Sequence, residues 1–117
     1  MTLYMYRGDT GTLDVVVVDD VGSPVDISTY SLRFTAKYRS SDPDDEAIIV
    51  KTDDYGGIAL GNGTGEATIT VDPEDTEDLT KTTTLLWDFQ LTDGFGAVKT
   101  AAAGRLVISA DISRAAP

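Results

Sequence analysis

Ser31-Leu32-Arg33-Phe34-Thr35-Ala36-Lys37-Tyr38-Arg39 alternates apolar and polar side chains without a break. In an extended chain Leu32, Phe34, Ala36 and Tyr38 point one way, and Ser31, Arg33, Thr35, Lys37 and Arg39 point the other. That is the pattern of a strand with one face in a core and one in water. The same period of two returns on both sides of this stretch. Leu85, Trp87, Phe89 and Leu91 alternate with Leu86, Asp88, Gln90 and Thr92, and Ala67, Ile69 and Val71 with Glu66, Thr68 and Thr70. Leu106, Ile108, Ala110 and Ile112 alternate with Arg105, Val107, Ser109 and Asp111. Further strands are predicted at Thr2 to Arg7, Thr12 to Asp19, Ala47 to Thr52 and Ala97 to Ala102. Turn chemistry separates them at Asp20-Val21-Gly22-Ser23-Pro24, Asp53-Asp54-Tyr55-Gly56-Gly57, Gly61-Asn62-Gly63-Thr64-Gly65 and Asp93-Gly94-Phe95-Gly96. Seven to eight short strands in one chain of 117 residues predict an all-β, antiparallel two-sheet sandwich over residues 1–117, with a closed barrel as the other architecture. A single helical turn is expected at Asp72 to Leu79. There Asp72 can cap, Pro73 suits the first helical position and the acids favour the positive end. Such a turn would bridge one sheet to the other.

Composition narrows the chemistry. Hydrophobic residues at 41% and charged residues at 25% describe an ordinary globular chain. Twenty acids against nine bases give a net charge of -11, a field that repels phosphate backbones, so nucleic acid is not an expected partner. The sequence has no cysteine, which removes disulfides, thiolate metal sites and cysteine nucleophiles. It has no histidine either, so histidine-dependent triads are excluded and the usual neutral-pH general base is missing. No apolar stretch approaches the roughly 20 residues that cross a bilayer as a helix, and no export signal is visible; a membrane is not an expected partner.

Several motifs invite a functional reading. Arg7-Gly8-Asp9 matches an adhesion tripeptide, but a turn explains it as well, with Gly8 in unusual dihedrals and Asp9 bonding nearby amides. Gly61 to Gly65 resembles a phosphate-cradling loop, yet it precedes an alternating strand and not a helix, so a hairpin connection is expected. The acidic runs Asp42 to Glu46 and Asp53-Asp54 offer oxygen ligands without the spacing of a calcium loop, and solvated loops account for them. No metal, cofactor or catalytic residue is assigned. Trp87 lies on the apolar face between Leu85 and Phe89, which predicts a core side chain and not a carbohydrate platform. Val15-Val16-Val17-Val18 is the most informative departure, because a strand with one wet face should not be apolar at four consecutive positions. With Leu13, Val15 and Val17 in the core, Val16 and Val18 face outward, with Tyr4 or Tyr6 expected near them. Either the chain's own loop or first strand covers them, or a neighbouring subunit does. Arg33, Lys37 and Arg39 form a basic row on the polar face of one strand, positioned to balance internal acids or to meet an acidic neighbour.

The order of segments resembles the Ig-like domain at the N-terminus of the phage baseplate upper protein family, over nearly the whole chain. The resemblance runs through Arg7-Gly8-Asp9-Thr10, the valine-rich strand, Pro24-Val25-Asp26-Ile27 and the Leu32 to Lys37 strand. It continues through Gly65-Glu66-Ala67-Thr68-Ile69, Asp72-Pro73-Glu74-Asp75-Thr76 and Leu86-Trp87-Asp88-Phe89-Gln90-Leu91. Gly96-Ala97-Val98-Lys99-Thr100, Gly104-Arg105-Leu106 and Asp111-Ile112-Ser113-Arg114 complete it. Trp87 stands where the family more often has tyrosine, and Lys81-Thr82-Thr83-Thr84 replaces its glycine-bearing turn. The resemblance implies an Ig-like sandwich that is a noncatalytic structural or accessory protein of a tailed-phage virion. Its partners would be other virion proteins of capsid, tail or baseplate, in a symmetric assembly of many copies. Tyr4, Tyr6, Val16, Val18, Arg33, Lys37 and Arg39 are then the expected interface residues. The alternative from another class is a carbohydrate- or calcium-dependent module that binds a host surface.

Overall fold

A computed structural model describes residues 2–54, 56–61 and 65–110. The chain is all-β, with eight strands among the described residues: β1 (Thr2–Tyr6), β2 (Gly11–Val16), β3 (Ser31–Lys37), β4 (Ile49–Thr52), β5 (Ile58–Leu60), β6 (Glu66–Val71), β7 (Thr83–Thr92) and β8 (Val98–Ser109). They form a five-stranded sheet in the order β1-β8-β7-β3-β4 and a three-stranded sheet in the order β2-β6-β5. The barrel alternative is not adopted, because the two sheets remain separate. One helical turn, α1 (Pro73–Thr76), follows β6.

Alternation places the core between the sheets. Leu32, Phe34 and Ala36 of β3, Leu85, Trp87, Phe89 and Leu91 of β7, and Leu106 and Ile108 of β8 are buried. They meet Leu13 and Val15 of β2, Ile58 of β5, and Ala67, Ile69 and Val71 of β6 in one contiguous cluster. Each large apolar side chain withdrawn from water contributes roughly 1.5–3 kcal/mol before conformational entropy is charged against it. Phe34 and Trp87 stack across β3 and β7 with ring centroids 5.6 Å apart, so Trp87 is a core residue as its position predicts.

Four expectations need correction. Ala97 to Ala102 and Arg105 to Ile112 are not two strands: β8 runs unbroken from Val98 to Ser109 against β7, with a register shift between Phe89 and Gln90 that absorbs an extra residue. Asp111 and Ile112 lie outside the described residues. Secondly, β5 was not foreseen, since three residues between Gly57 and Gly61 are too few to show alternation. Thirdly, β1 pairs with β8 in parallel, not antiparallel; strands from the two ends of a chain are not tied by a hairpin, so nothing forces them to oppose. Fourthly, β3 ends at Lys37, which leaves Tyr38 half exposed instead of in the core and puts Arg39 on a loop. The Gly61 to Gly65 segment does connect a hairpin, β5 to β6, with the Gly61 N–H donating to the Glu66 carbonyl at 2.8 Å. Asn62, Gly63 and Thr64 lie outside the described residues.

Candidate functional site

The outward faces of the two sheets hold Tyr4, Tyr6, Val16, Arg33 and Lys37 among the expected interface residues. On the five-stranded sheet the strand registers stack side chains into cross-strand rows. Tyr4, Val107 and Thr84 make one row; Thr2, Arg105, Leu86 and Lys37 make the next. Ala103, Asp88, Thr35 and Val50 follow, then Gln90, Arg33 and Thr52. Arg33 and Lys37 thus sit on the outward face of β3, with Asp88 across from the Thr35 between them. The Arg33 Nε donates to Thr35 Oγ1 at 3.1 Å, and the Lys37 Nζ donates to the Asp42 carbonyl at 2.9 Å. Arg39 lies past the strand end, where its backbone N–H donates to the Asp42 carboxylate at 3.1 Å. The basic row is therefore two residues on the sheet and one on a loop, and the Asp42 loop folds back toward Lys37 and Arg39.

Ala103 and Gly104 are small, and beside them the face dips into a depression of about 400 Å³. Its walls are Arg33, Thr35, Lys37, Ser40, Leu86, Asp88 and Gln90, and Trp87 completes the lining with Ala103 and Gly104. The sequence reading missed this groove; the signal was the run Ala101-Ala102-Ala103-Gly104 in mid-strand. Cations and a carboxylate line it together, with no histidine or cysteine in the chain to act as nucleophile or base. Paired cations and a carboxylate suit orientation of a polar surface.

On the three-stranded sheet the four valines alternate as their sequence predicts. Val15 and Val17 are buried, while Val16 is 56% and Val18 46% exposed. Among the described residues neither a loop nor the first strand covers them, since β1 belongs to the other sheet. Around them the face is polar: Glu66 pairs with Val16, and Thr68 Oγ1 donates to Asp14 at 2.8 Å. Beyond Val18, bridged to Pro24, a tight turn shows Val21 to solvent. The Asp19 carboxylate fixes that turn by accepting the N–H groups of Val21 and Ser23, each at 3.0 Å.

Tyr4 and Tyr6 are exposed at 76% and 58%, but on the outward face of the five-stranded sheet. They therefore do not join Val16 and Val18 in one patch, as expected from sequence; the two pairs face opposite ways because their strands belong to opposite sheets. Phe95, at 99% exposed, tips the β7–β8 hairpin, and its N–H is held by the Asp93 carboxylate at 2.8 Å.

The remaining motifs resolve into structural parts. Arg7 is buried, and its guanidinium faces the carbonyls of Glu77 and Leu79. Gly8 has a φ of 79°, and the turn closes through the Asp9 N–H to the Tyr6 carbonyl at 3.2 Å, not through the Asp9 carboxylate. Asp53 accepts the Leu32 N–H at 3.1 Å. Among the described residues no group of three or more acids, histidines or cysteines is placed to hold a metal ion, and no helix is long and apolar enough to cross a membrane. No family model matches the chain, and no match was found among curated proteins.

Proposed function

We propose that this chain is a noncatalytic structural or accessory component of a tailed-phage virion, an Ig-like sandwich that docks on other virion proteins in many copies. One observation carries the docking part: among the described residues, nothing covers Val16 and Val18 beyond about half, beside a turn that holds Val21 out to solvent. Apolar side chains grouped on an otherwise polar face mark contact surfaces. The strand order supports the Ig-like part. The order β2-β6-β5 facing β8-β7-β3, with β4 added beyond β3, follows that of immunoglobulin-type sandwiches. The motif order that resembles the baseplate upper protein domain supports the virion part. Docked on a symmetric lattice, each copy needs only a modest contact, because many such contacts act together.

The test is a double variant, Val16→Ser with Val18→Ser, in the virus that encodes the chain. Both side chains already face water, so the unfolding free energy should change by less than about 1 kcal/mol. Incorporation into purified particles should fall at least tenfold. Particles that take up the variant as readily as the parent would reject this surface.

A further inference from the structure

Charge is divided unevenly between the two sheets. Lysine and arginine occur in β3, β4 and β8 of the five-stranded sheet, and in none of β2, β5 or β6. The segment from Val17 to Val25, which continues β2, has no base either. Carboxylates, by contrast, surround the exposed valines. Asp14 lies two residues before Val16 on the same side of β2, and Glu66 stands across from Val16 on β6. Asp19 and Asp20 follow Val18 and lead into Val21.

An apolar centre with a polar rim is the anatomy of a protein interface. Here the charges that the three-stranded sheet and its turn contribute to the rim are all of one sign. That sign is also the sign of the whole chain, at -11, so the local and the long-range fields agree.

We infer that this face docks on a protein surface of opposite sign, an apolar patch of the partner rimmed by lysines and arginines that meet Asp14, Asp20 and Glu66. The inference rests on the docking reading above and names the partner's chemistry. Charge complementarity decides among occupants. A second copy, a nucleic acid or an anionic lipid surface would each bring negative charge to a chain of net charge -11, whereas a basic protein surface is drawn to it. Screening limits such attraction to a Debye length of about 8 Å at physiological salt, so the carboxylates within a residue or two of the valines matter most. Because the bases sit on the other sheet, the chain also has one preferred orientation toward such a partner: the three-stranded sheet faces it and the five-stranded sheet faces away.

The experiment titrates the intact, isotope-labelled chain with a capped five-residue peptide in which three lysines alternate with two valines, and follows the backbone amides by NMR up to about 5 mM peptide. Shifted amides should cluster in β2, β6 and the turn from Val18 to Pro24. Raising the salt from about 50 to about 500 mM should weaken binding about fivefold. The same peptide with glutamate in place of lysine should leave the spectrum unchanged. Asp14→Asn, Asp20→Asn and Glu66→Gln combined should weaken binding about tenfold, and Val16→Ser with Val18→Ser about threefold. The glutamate peptide and the salt series use the parent chain, so they decide the matter even where the triple variant folds poorly. No shift at the highest peptide concentration, shifts centred on the five-stranded sheet or scattered over every carboxylate, an equal response to the glutamate peptide, or a folded triple variant that binds as tightly as the parent would overturn the inference. Its failure is separable from that of the docking reading: a valine double variant that is lost from particles, while the parent ignores the lysine peptide, keeps the docking surface and sinks the basic partner.

Discussion

Arg7 shows how far a residue's role can lie from its motif. A buried guanidinium is costly unless its N–H groups are satisfied. Here Nη1 faces the carbonyls of Glu77 at 3.3 Å and Leu79 at 3.4 Å, seventy residues along the chain. Next to it the Gly8 N–H donates to Thr76 Oγ1 at 2.9 Å, and Thr76 is fully buried. The tripeptide that reads as an adhesion signal is thus a clasp from the end of β1 to the end of α1, with its arginine buried against the chain's own carbonyls. Arg7→Ala strips two part-buried carbonyls of their donor and should cost roughly 2–3 kcal/mol in urea unfolding; a loss below about 0.5 kcal/mol would contradict the clasp. The turn at Gly8 was legible because glycine chemistry is local. The destination of Arg7 was not, since nothing in neighbouring residues announces a contact made only after folding. Val16 and Val18 were legible for the opposite reason: alternation is local, and four valines in a row break it visibly.

At the scale of elements, Lys51 ties the two sheets together. It lies on β4 of the five-stranded sheet, and its Nζ reaches Asp72 at 3.0 Å and Asp75 at 2.7 Å, at the start of the turn that leaves β6 of the other sheet. Asp75 also accepts the Asp72 backbone N–H at 2.7 Å, which secures the first turn of α1. Burial alone would lower the Lys51 pKa, but Asp75 and Asp72 outweigh it and raise it above 10.5. A raised pKa in the folded state contributes stability that is complete below 10.5 and is lost as the pH climbs through the folded value. Lys51→Ala should therefore cost roughly 1–3 kcal/mol near neutral pH, and the gap between parent and variant should narrow as the pH climbs past 10.5 and through the raised folded value. A gap that stays constant across that range would contradict the ion pairs. The bridging turn was foreseen from Asp72-Pro73. Its anchor was not, because Lys51 in an alternating strand looks like any solvated lysine. The strands with full alternation, β3, β6 and β7, were read nearly to the residue, whereas β5 was too short and β8 too interrupted by small residues to be read correctly.

For the whole molecule, alternation established two layers, and pairing established what alternation cannot show. Only the assembled registers reveal that β1 runs parallel to β8, that Tyr4 and Tyr6 face away from Val16 and Val18, and that Ala103 and Gly104 open a groove beside Arg33 and Lys37. The result is an acidic body with exposed apolar side chains on opposite sides: Val16 and Val18 on one, and Tyr4 and Tyr6 with a polar groove on the other. Such a body fits the proposed place between neighbours in a virion lattice. The most direct measurement of the proposed virion role is the copy number of this chain in purified, nuclease-treated particles of a tailed phage carrying its gene, by quantitative mass spectrometry against the major capsid and tail proteins. The account predicts a fixed ratio matching the symmetry of one of those lattices, whereas a chain absent from particles, or carried only in traces, would contradict it.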